Sequence, residues 1–164
     1  MSKLVDIALE YEGFPSVRYV EPGNLGNTQK AFDCSGFVQW VILKSGICVP
    51  KVPNTDRIIR RSEEFFDFLG FAIHEPAVQP GDLVFFSKNG CRPSHLGIYI
   101  GDGNMIHSPG MDGKKVCIRS IDDFCKKNKL RLKEGNLQIY FDNPIGYKRV
   151  TSPSGVRYQT TFVI

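Results

Sequence analysis

The sequence predicts an α+β domain in which N-terminal helices pack on a central antiparallel β-sheet. Two patterns carry this prediction. Apolar residues recur at helical spacing in the first part of the chain, whereas after Pro80 the chain consists of short apolar runs separated by Gly, Asn, Pro and Asp. A chain of 164 residues, 41% of them hydrophobic, is long enough to bury one core without disulfides or a metal.

Two helices are predicted first. Residues 3–12 have apolar side chains at helical spacing, and Gly13 ends the pattern. The segment AFDCSGFVQWVILKSG, residues 31–46, begins with small and polar residues and continues as an apolar run. It predicts a buried helix with Asp33 or Ser35 near its N-cap, since short polar side chains satisfy the free amides of a helix start.

A third helix is predicted over residues 55–69, and its pattern is amphipathic. Apolar residues define an inward face and charged residues an outward face. The inward residues are Ile58, Ile59, Phe65, Phe66 and Leu69, and the outward ones are Arg60, Arg61, Glu63 and Glu64. The helix is therefore expected to expose both arginines to solvent.

The remainder of the chain is predicted to form the sheet. The strand-like runs are DLVFF, HLGIYI, NMIHS, KVCIR and IGYKRV. A short helix is expected over residues 121–130, before the last of these strands. Residues 1–150 are thus predicted to form one domain, and residues 151–164 a C-terminal tail or an extra strand.

Composition excludes several classes of function. No apolar run approaches the roughly 18 residues of a membrane span, and no nucleic-acid-binding motif accompanies the net charge of +4. The five cysteines include no CxxC pair, which predicts reduced thiols and no metal site. No signal peptide is visible, so the chain as written is expected to be cytoplasmic, or periplasmic or secreted where a signal was removed. It is expected to be a monomer.

Cys34 is the first candidate for chemistry. It falls in the first turn of the second helix, where the helix dipole is expected to lower the pKa of a thiol. The free backbone amides of the same turn could stabilise an oxyanion, and Gly36 leaves the approach to the sulfur open. The alternative is that Cys34 is a small buried core residue, the usual fate of a free cysteine.

The hairpin SHLGIYIGDGNMIHS carries two of the three histidines. Alternation along the strand puts His95 and Gly97 on one face. A turn centred on Asp102 places His107 opposite Gly97, on the face of His95, whereas a two-residue turn would place it opposite Ile98 instead. In the first register one imidazole can accept the thiol proton while the other fixes its tautomer. The alternative for each is a solvated surface histidine.

The sequence resembles the NlpC-type family of cell-wall cysteine peptidases. The motifs that carry the resemblance are FDCSGFVQW, QPGDLVFF, HLGIYIGDGNMIHSPG and NPIGYKRV, dispersed over residues 4–150. The resemblance implies a papain-like fold and hydrolysis of amide bonds in the stem peptides of bacterial peptidoglycan. The bond typically joins D-γ-glutamate to a diamino acid, in the polymer or in a muropeptide, and no cofactor is needed.

The same resemblance implies roles for individual residues. Cys34 is the nucleophile, His95 the general base, and His107 the third, orienting residue. Asp33, Ser35 and Tyr19 are the implied substrate-binding residues. Two other interpretations stay open: an amidase or acyltransferase on another substrate, such as a toxin or a phage lysis enzyme, and a non-catalytic peptide-binding module.

Overall fold

The computed structural model describes residues 2–19, 27–28, 30–88, 90–125 and 144–150. Within these ranges three helices and eight strands follow one another along the chain. They are α1 (Lys3–Glu10), β1 (Asn27–Thr28), β2 (Ala31–Phe32), α2 (Cys34–Lys44), α3 (Ser62–Phe68), β3 (Phe71–Ile73), β4 (Leu83–Ser87), β5 (Pro93–Gly101), β6 (Asn104–His107), β7 (Cys117–Ser120) and β8 (Gly146–Arg149). Residues 121–125 add a helical turn after β7. The predicted tail, residues 151–164, lies outside the described residues.

Six of the strands form one sheet in the order β3-β8-β4-β5-β6-β7, and each neighbouring pair is antiparallel. β1 and β2 form a separate two-stranded ribbon. Helices α1, α2 and α3 all contact β5, the long central strand. The predicted arrangement of helices on an antiparallel sheet is therefore confirmed.

The two faces of the sheet support two separate cores, because side chains alternate along each strand. On the helix side, Leu96, Ile98 and Ile106 pack against the apolar residues of α1 and α2. On the opposite side, Val84, Phe86, Met105, Ile121 and Cys125 form a smaller cluster. The histidines of β5 and β6 belong to this second face.

Helix α2 is the element that positions Cys34. Asp33 is its N-cap, and the Asp33 carboxylate accepts the Gly36 amide at 2.8 Å. Phe37, Val41 and Ile42 are completely buried, which explains why the helix shows almost no polar face in its sequence. None of the helices in the described residues is long and apolar enough to cross a membrane.

The third predicted helix is wrong in its first half. Only Ser62–Phe68 is helical, whereas residues 55–61 contain bends, and Ile58 forms an isolated β-bridge with Lys51. The Glu64 carboxylate accepts the backbone amides of Arg60 and Arg61, at 2.7 and 3.0 Å, and so caps the helix there. Arg60 points inward and is 8% exposed, because a buried carboxylate elsewhere in the chain binds its side chain.

The β5–β6 hairpin has the predicted register for a different reason. Its loop has two residues, Asp102 and Gly103, whose positive φ angles of 50° and 71° suit a tight hairpin turn. An extra residue in β5, between Tyr99 and Gly101, then shifts the pairing by one position. Ile98 pairs with Ile106, so the next residues inward, Gly97 and His107, face each other.

Candidate active site

Cys34 opens helix α2 directly beside strand β5. Hydrogen bonds from the backbone of Ser35 and Leu96 reach its sulfur, so the sulfur lies against β5 one residue beyond His95. Strand β6 has already ended at this point of β5, which leaves the backbone there open to α2. The residue remains partly exposed, so a ligand could reach its sulfur.

The surroundings of Cys34 raise the pKa of its thiol to about 11. Burial is the main cause, and the neighbouring Asp33 carboxylate adds to it by disfavouring a second negative charge. The backbone hydrogen bonds and the positive charge of Arg60 act in the opposite direction but are smaller. The start of the helix thus acts in the predicted direction, but the net shift of the Cys34 pKa is upward because burial has the larger effect.

The two hairpin histidines form a direct hydrogen bond. His95 Nε2 lies 2.8 Å from His107 Nδ1, and the two rings are nearly perpendicular. Gly97 makes this approach possible, because a Cβ atom at that position would lie 3.2 Å from the His107 Cβ. The residues that the sequence predicts as base and orienting group are thus brought together.

Both imidazoles are buried in an apolar and aromatic environment. Phe124 stacks on the His95 ring and meets the His107 ring edge-on, at centroid distances of 5.3 and 5.4 Å. Burial lowers the pKa of His95 to about 4, and the charge of Lys88 contributes. Burial and the neighbouring His95 also hold the pKa of His107 well below its usual value. Both rings are therefore neutral near pH 7.

Asp33 and Ser35, the neighbours of Cys34, form a buried cluster with Arg60. The Arg60 guanidinium binds both Asp33 carboxylate oxygens, one of them at 3.0 Å, and donates to the Ser35 hydroxyl at 2.8 Å. Asp33 is completely buried, and Arg60 is the charge that compensates it. These two predicted substrate-binding residues consequently lie in the floor of the site and hold α2 to the segment before α3.

Tyr19 contacts the same cluster through Arg60 and the neighbouring Arg61. Its ring lies under the Arg60 guanidinium at 5.4 Å, and its hydroxyl accepts a hydrogen bond from Arg61 Nε at 3.3 Å. The side chain is partly exposed. Tyr19 is therefore placed between the buried Asp33–Arg60 pair and solvent, where a ligand could contact it.

A serine that follows His107 ties the histidine strand to the nucleophile helix. The Ser108 hydroxyl donates to the carbonyl of Phe32, two residues before Cys34, at 2.6 Å. It also lies 2.8 Å from the Ser16 hydroxyl, whose oxygen accepts the Met111 amide. Ser108 is completely buried, so this connection holds the end of β6 in a fixed position relative to the start of α2.

The arrangement of a cysteine at a helix start and a histidine pair on adjacent strands can be compared with known proteins. A family model described as "NlpC/P60 family" matches residues 21–133, which is more than half of the chain. The chain belongs to the NlpC/P60 family. The resemblance seen in the sequence motifs is thereby confirmed.

Two curated relatives are informative about the family. The chain is 37% identical over 103 residues to a "bifunctional muramidase/DL-endopeptidase" of Bacillus subtilis, with 62% of this chain and 27% of that protein covered. It is 37% identical over 86 residues to a "gamma-D-glutamyl-L-lysine dipeptidyl-peptidase" of Bacillus cereus, with coverages of 51% and 23%. The chain thus spans about a quarter of the length of these relatives.

The solved structures agree with the family assignment. An NlpC/P60 family protein from Bacillus cereus superposes with a TM-score of 0.61 and 28% sequence identity, and the match covers 90% of this chain and 39% of that one. NlpC/P60 domains have a papain-like fold, and this chain has the same fold.

Two residues of this NlpC/P60 site escaped the sequence prediction. Arg60 looks like a solvent-facing arginine of a helix, and nothing local reveals its partner Asp33. Cys117, one of the cysteines regarded as ordinary reduced thiols, lies with its sulfur 3.8 Å from His107 Nε2. Within the described parts of the chain, no group of three His, Cys, Asp or Glu side chains is arranged to hold a metal ion.

Proposed function

We propose that this domain is a cysteine peptidase that hydrolyses amide bonds in peptidoglycan stem peptides, at the D-γ-glutamyl–diamino acid bond. The observation that carries the proposal is the buried hydrogen bond between His95 Nε2 and His107 Nδ1, beside a helix that begins with Cys34. The names of the two curated relatives, a DL-endopeptidase and a γ-D-glutamyl-L-lysine dipeptidyl-peptidase, support the choice of bond.

The nucleophile in this proposal is produced during the reaction. The Cys34 thiol and the His95 ring are both neutral near pH 7, because burial raises the pKa of one and lowers that of the other. His95 takes the thiol proton at Nδ1, since its Nε2 is already bonded to His107. The sulfur then attacks the carbonyl carbon of the scissile amide.

The remaining steps use the same groups. Negative charge develops on the carbonyl oxygen, and its stabilisation is assigned to the Cys34 backbone amide at the start of α2, since the Gly36 amide is bound to Asp33. The His95 imidazolium then protonates the leaving amine, and the carbon–nitrogen bond breaks to leave an acyl group on Cys34. His95 finally deprotonates a water molecule, which releases the acyl group and restores the thiol. This chemistry requires no cofactor.

Substrate binding is assigned to the cluster around Arg60. Asp33 and Ser35 act through Arg60, which fixes the position of α2 and hence of Cys34. Tyr19 is partly exposed over Arg60 and is the member of the cluster that contacts the stem peptide or muropeptide.

Mass spectrometry of purified muropeptides incubated with the domain tests the proposal. The wild-type chain is expected to cleave the D-γ-glutamyl–diamino acid bond, and Cys34→Ala is expected to be inactive while remaining folded. Cys48→Ala is the matched control, because Cys48 is an exposed cysteine away from the histidines.

Three outcomes are informative. Cleavage by wild type and Cys48→Ala alone supports reaction, substrate and nucleophile together. Retained activity in Cys34→Ala contradicts the assignment of the nucleophile. Absence of cleavage in all three proteins contradicts the proposed substrate.

A further inference from the structure

The histidine pair continues into a third side chain on the next strand. Strands β6 and β7 pair His107 directly with Cys117. The Cys117 sulfur lies 3.8 Å from His107 Nε2, within the range of a hydrogen bond to sulfur. A continuous path of contacts thus runs from Cys117 through His107 to His95 across three adjacent strands.

The direction of the hydrogen bonds along this path follows from the proposed mechanism. A neutral imidazole carries one N–H, and His95 must present the lone pair of Nδ1 to the thiol. Its hydrogen is then on Nε2 and is donated to His107 Nδ1. The single hydrogen of His107 is therefore on Nε2, where it points at the Cys117 sulfur.

The position of the His107 hydrogen is restricted further once His95 has taken the thiol proton. The imidazolium has a hydrogen on both nitrogens, so His107 Nδ1 can only accept. A hydrogen on His107 Nδ1 would oppose the hydrogen of His95 Nε2. The group beside His107 Nε2 must then be an acceptor, and that group is Cys117.

We propose that Cys117 is a positioning residue of the active site, whose sulfur accepts the Nε2 hydrogen of His107 and so fixes the tautomer that orients His95. The inference rests on the proposed function, because it concerns the same reaction. It assigns Cys117 no contact with the substrate.

The charges around the path are compatible with this role. Burial raises the pKa of Cys117, so the sulfur is an uncharged acceptor near pH 7. Arg119, on the same strand, disfavours protonation of His107, and Lys88 does the same for His95. Glu12 is the acidic group that acts on Cys117.

Two substitutions separate this role from simple packing. Cys117→Ser keeps an acceptor of similar size at the same place, whereas Cys117→Ala removes it. If Cys117 only filled space, both variants would lose packing and would behave alike. If its sulfur is an acceptor, the two variants should differ. Cys48→Ala is the control for the loss of a thiol elsewhere.

The experiment is long-range ¹H–¹⁵N correlation of the histidine rings near pH 7, which is tractable because the chain has 3 histidines. Wild type, Cys117→Ser and Cys48→Ala are expected to show His107 with its hydrogen on Nε2. Cys117→Ala is expected to show a mixture of tautomers. Its kcat on muropeptides should fall about threefold to tenfold with little change in KM, the size expected for one hydrogen bond.

Failure of this inference can be distinguished from failure of the proposed function. A wild-type His107 with its hydrogen on Nδ1 overturns the inference without any variant, even where the domain cleaves muropeptides. A single Nε2 tautomer and unchanged kcat in Cys117→Ala also overturn it. If no muropeptide is cleaved, the tautomer measurements still decide the role of Cys117, and only the substrate proposal fails.

Discussion

Near pH 7 the Cys34 thiol keeps its proton and the His95 imidazole is neutral. Burial raises the pKa of the Cys34 thiol to about 11 and lowers that of His95 to about 4. The site therefore contains a thiol and neutral imidazoles instead of a thiolate–imidazolium pair. General-base catalysis by His95 is the mechanism that such a site can support.

This resting state predicts an unusually broad pH profile of kcat/KM. Activity is expected to rise as His95 loses its proton around pH 4 and to remain constant until the Cys34 thiol ionises, around pH 11. Enzyme kept near neutral pH and diluted briefly into each assay buffer gives the measurement. His74→Gln is a control, because His74 is exposed. An acid limb near the ordinary histidine pKa would contradict the neutral resting site.

At the residue scale, the sequence indicated residues that the structure brings together, but not their electrostatics. A cysteine at a helix start and histidines on one face of a hairpin are local patterns, and they indicated Cys34, His95 and His107. The pKa of a buried group depends on how much protein surrounds it, which is a property of the tertiary structure. The direction of the Cys34 shift could therefore not be obtained from a helix-dipole argument alone.

Among the elements, those that local rules specify were predicted well. The pairing of Gly97 with His107 was predicted from a turn centred on Asp102, whereas the structure reaches it with a two-residue turn and an extra residue in β5. The extra residue in β5 could not be foreseen, because a bulge depends on pairing with the neighbouring strands. The prediction for the first half of the third helix was wrong because Arg60 binds Asp33, which lies 27 residues away in the sequence.

That distant ion pair predicts a large effect of one substitution on stability. Arg60→Ala leaves the buried Asp33 carboxylate without its cation and should lower the free energy of unfolding by about 3–5 kcal/mol. Lys51→Ala is the matched control. It removes an exposed ion pair with Asp56 and should cost less than about 1 kcal/mol. Urea unfolding of both variants measures the difference.

Arg60→Lys refines the same test. Lysine keeps the charge but cannot bind two carboxylate oxygens and the Ser35 hydroxyl at once, so only part of the stability should return. Equal stabilities of Arg60→Ala and Lys51→Ala would contradict the view that this pair joins α2 to the segment before α3.

For the molecule as a whole, the buried histidines connect catalysis to stability. His95 and His107 lie under Phe124 on the face of the sheet opposite the main helices. They must be neutral in the folded protein, but they are free to take up protons when it unfolds. Folding therefore becomes less favourable as the pH falls below the ordinary histidine pKa, over the range in which only the unfolded chain is protonated.

The size of this acid destabilisation is predictable for His95. With a pKa of about 4 in the folded protein, His95 should remove about 2 kcal/mol of stability between pH 7 and pH 5. Urea unfolding at both pH values measures the loss, which should be smaller by about that amount in His95→Gln. His74→Gln should lose as much stability as wild type, because His74 is exposed. An equal loss in wild type and His95→Gln would mean that folding does not lower the pKa of His95, which would contradict the account of an imidazole kept neutral by burial.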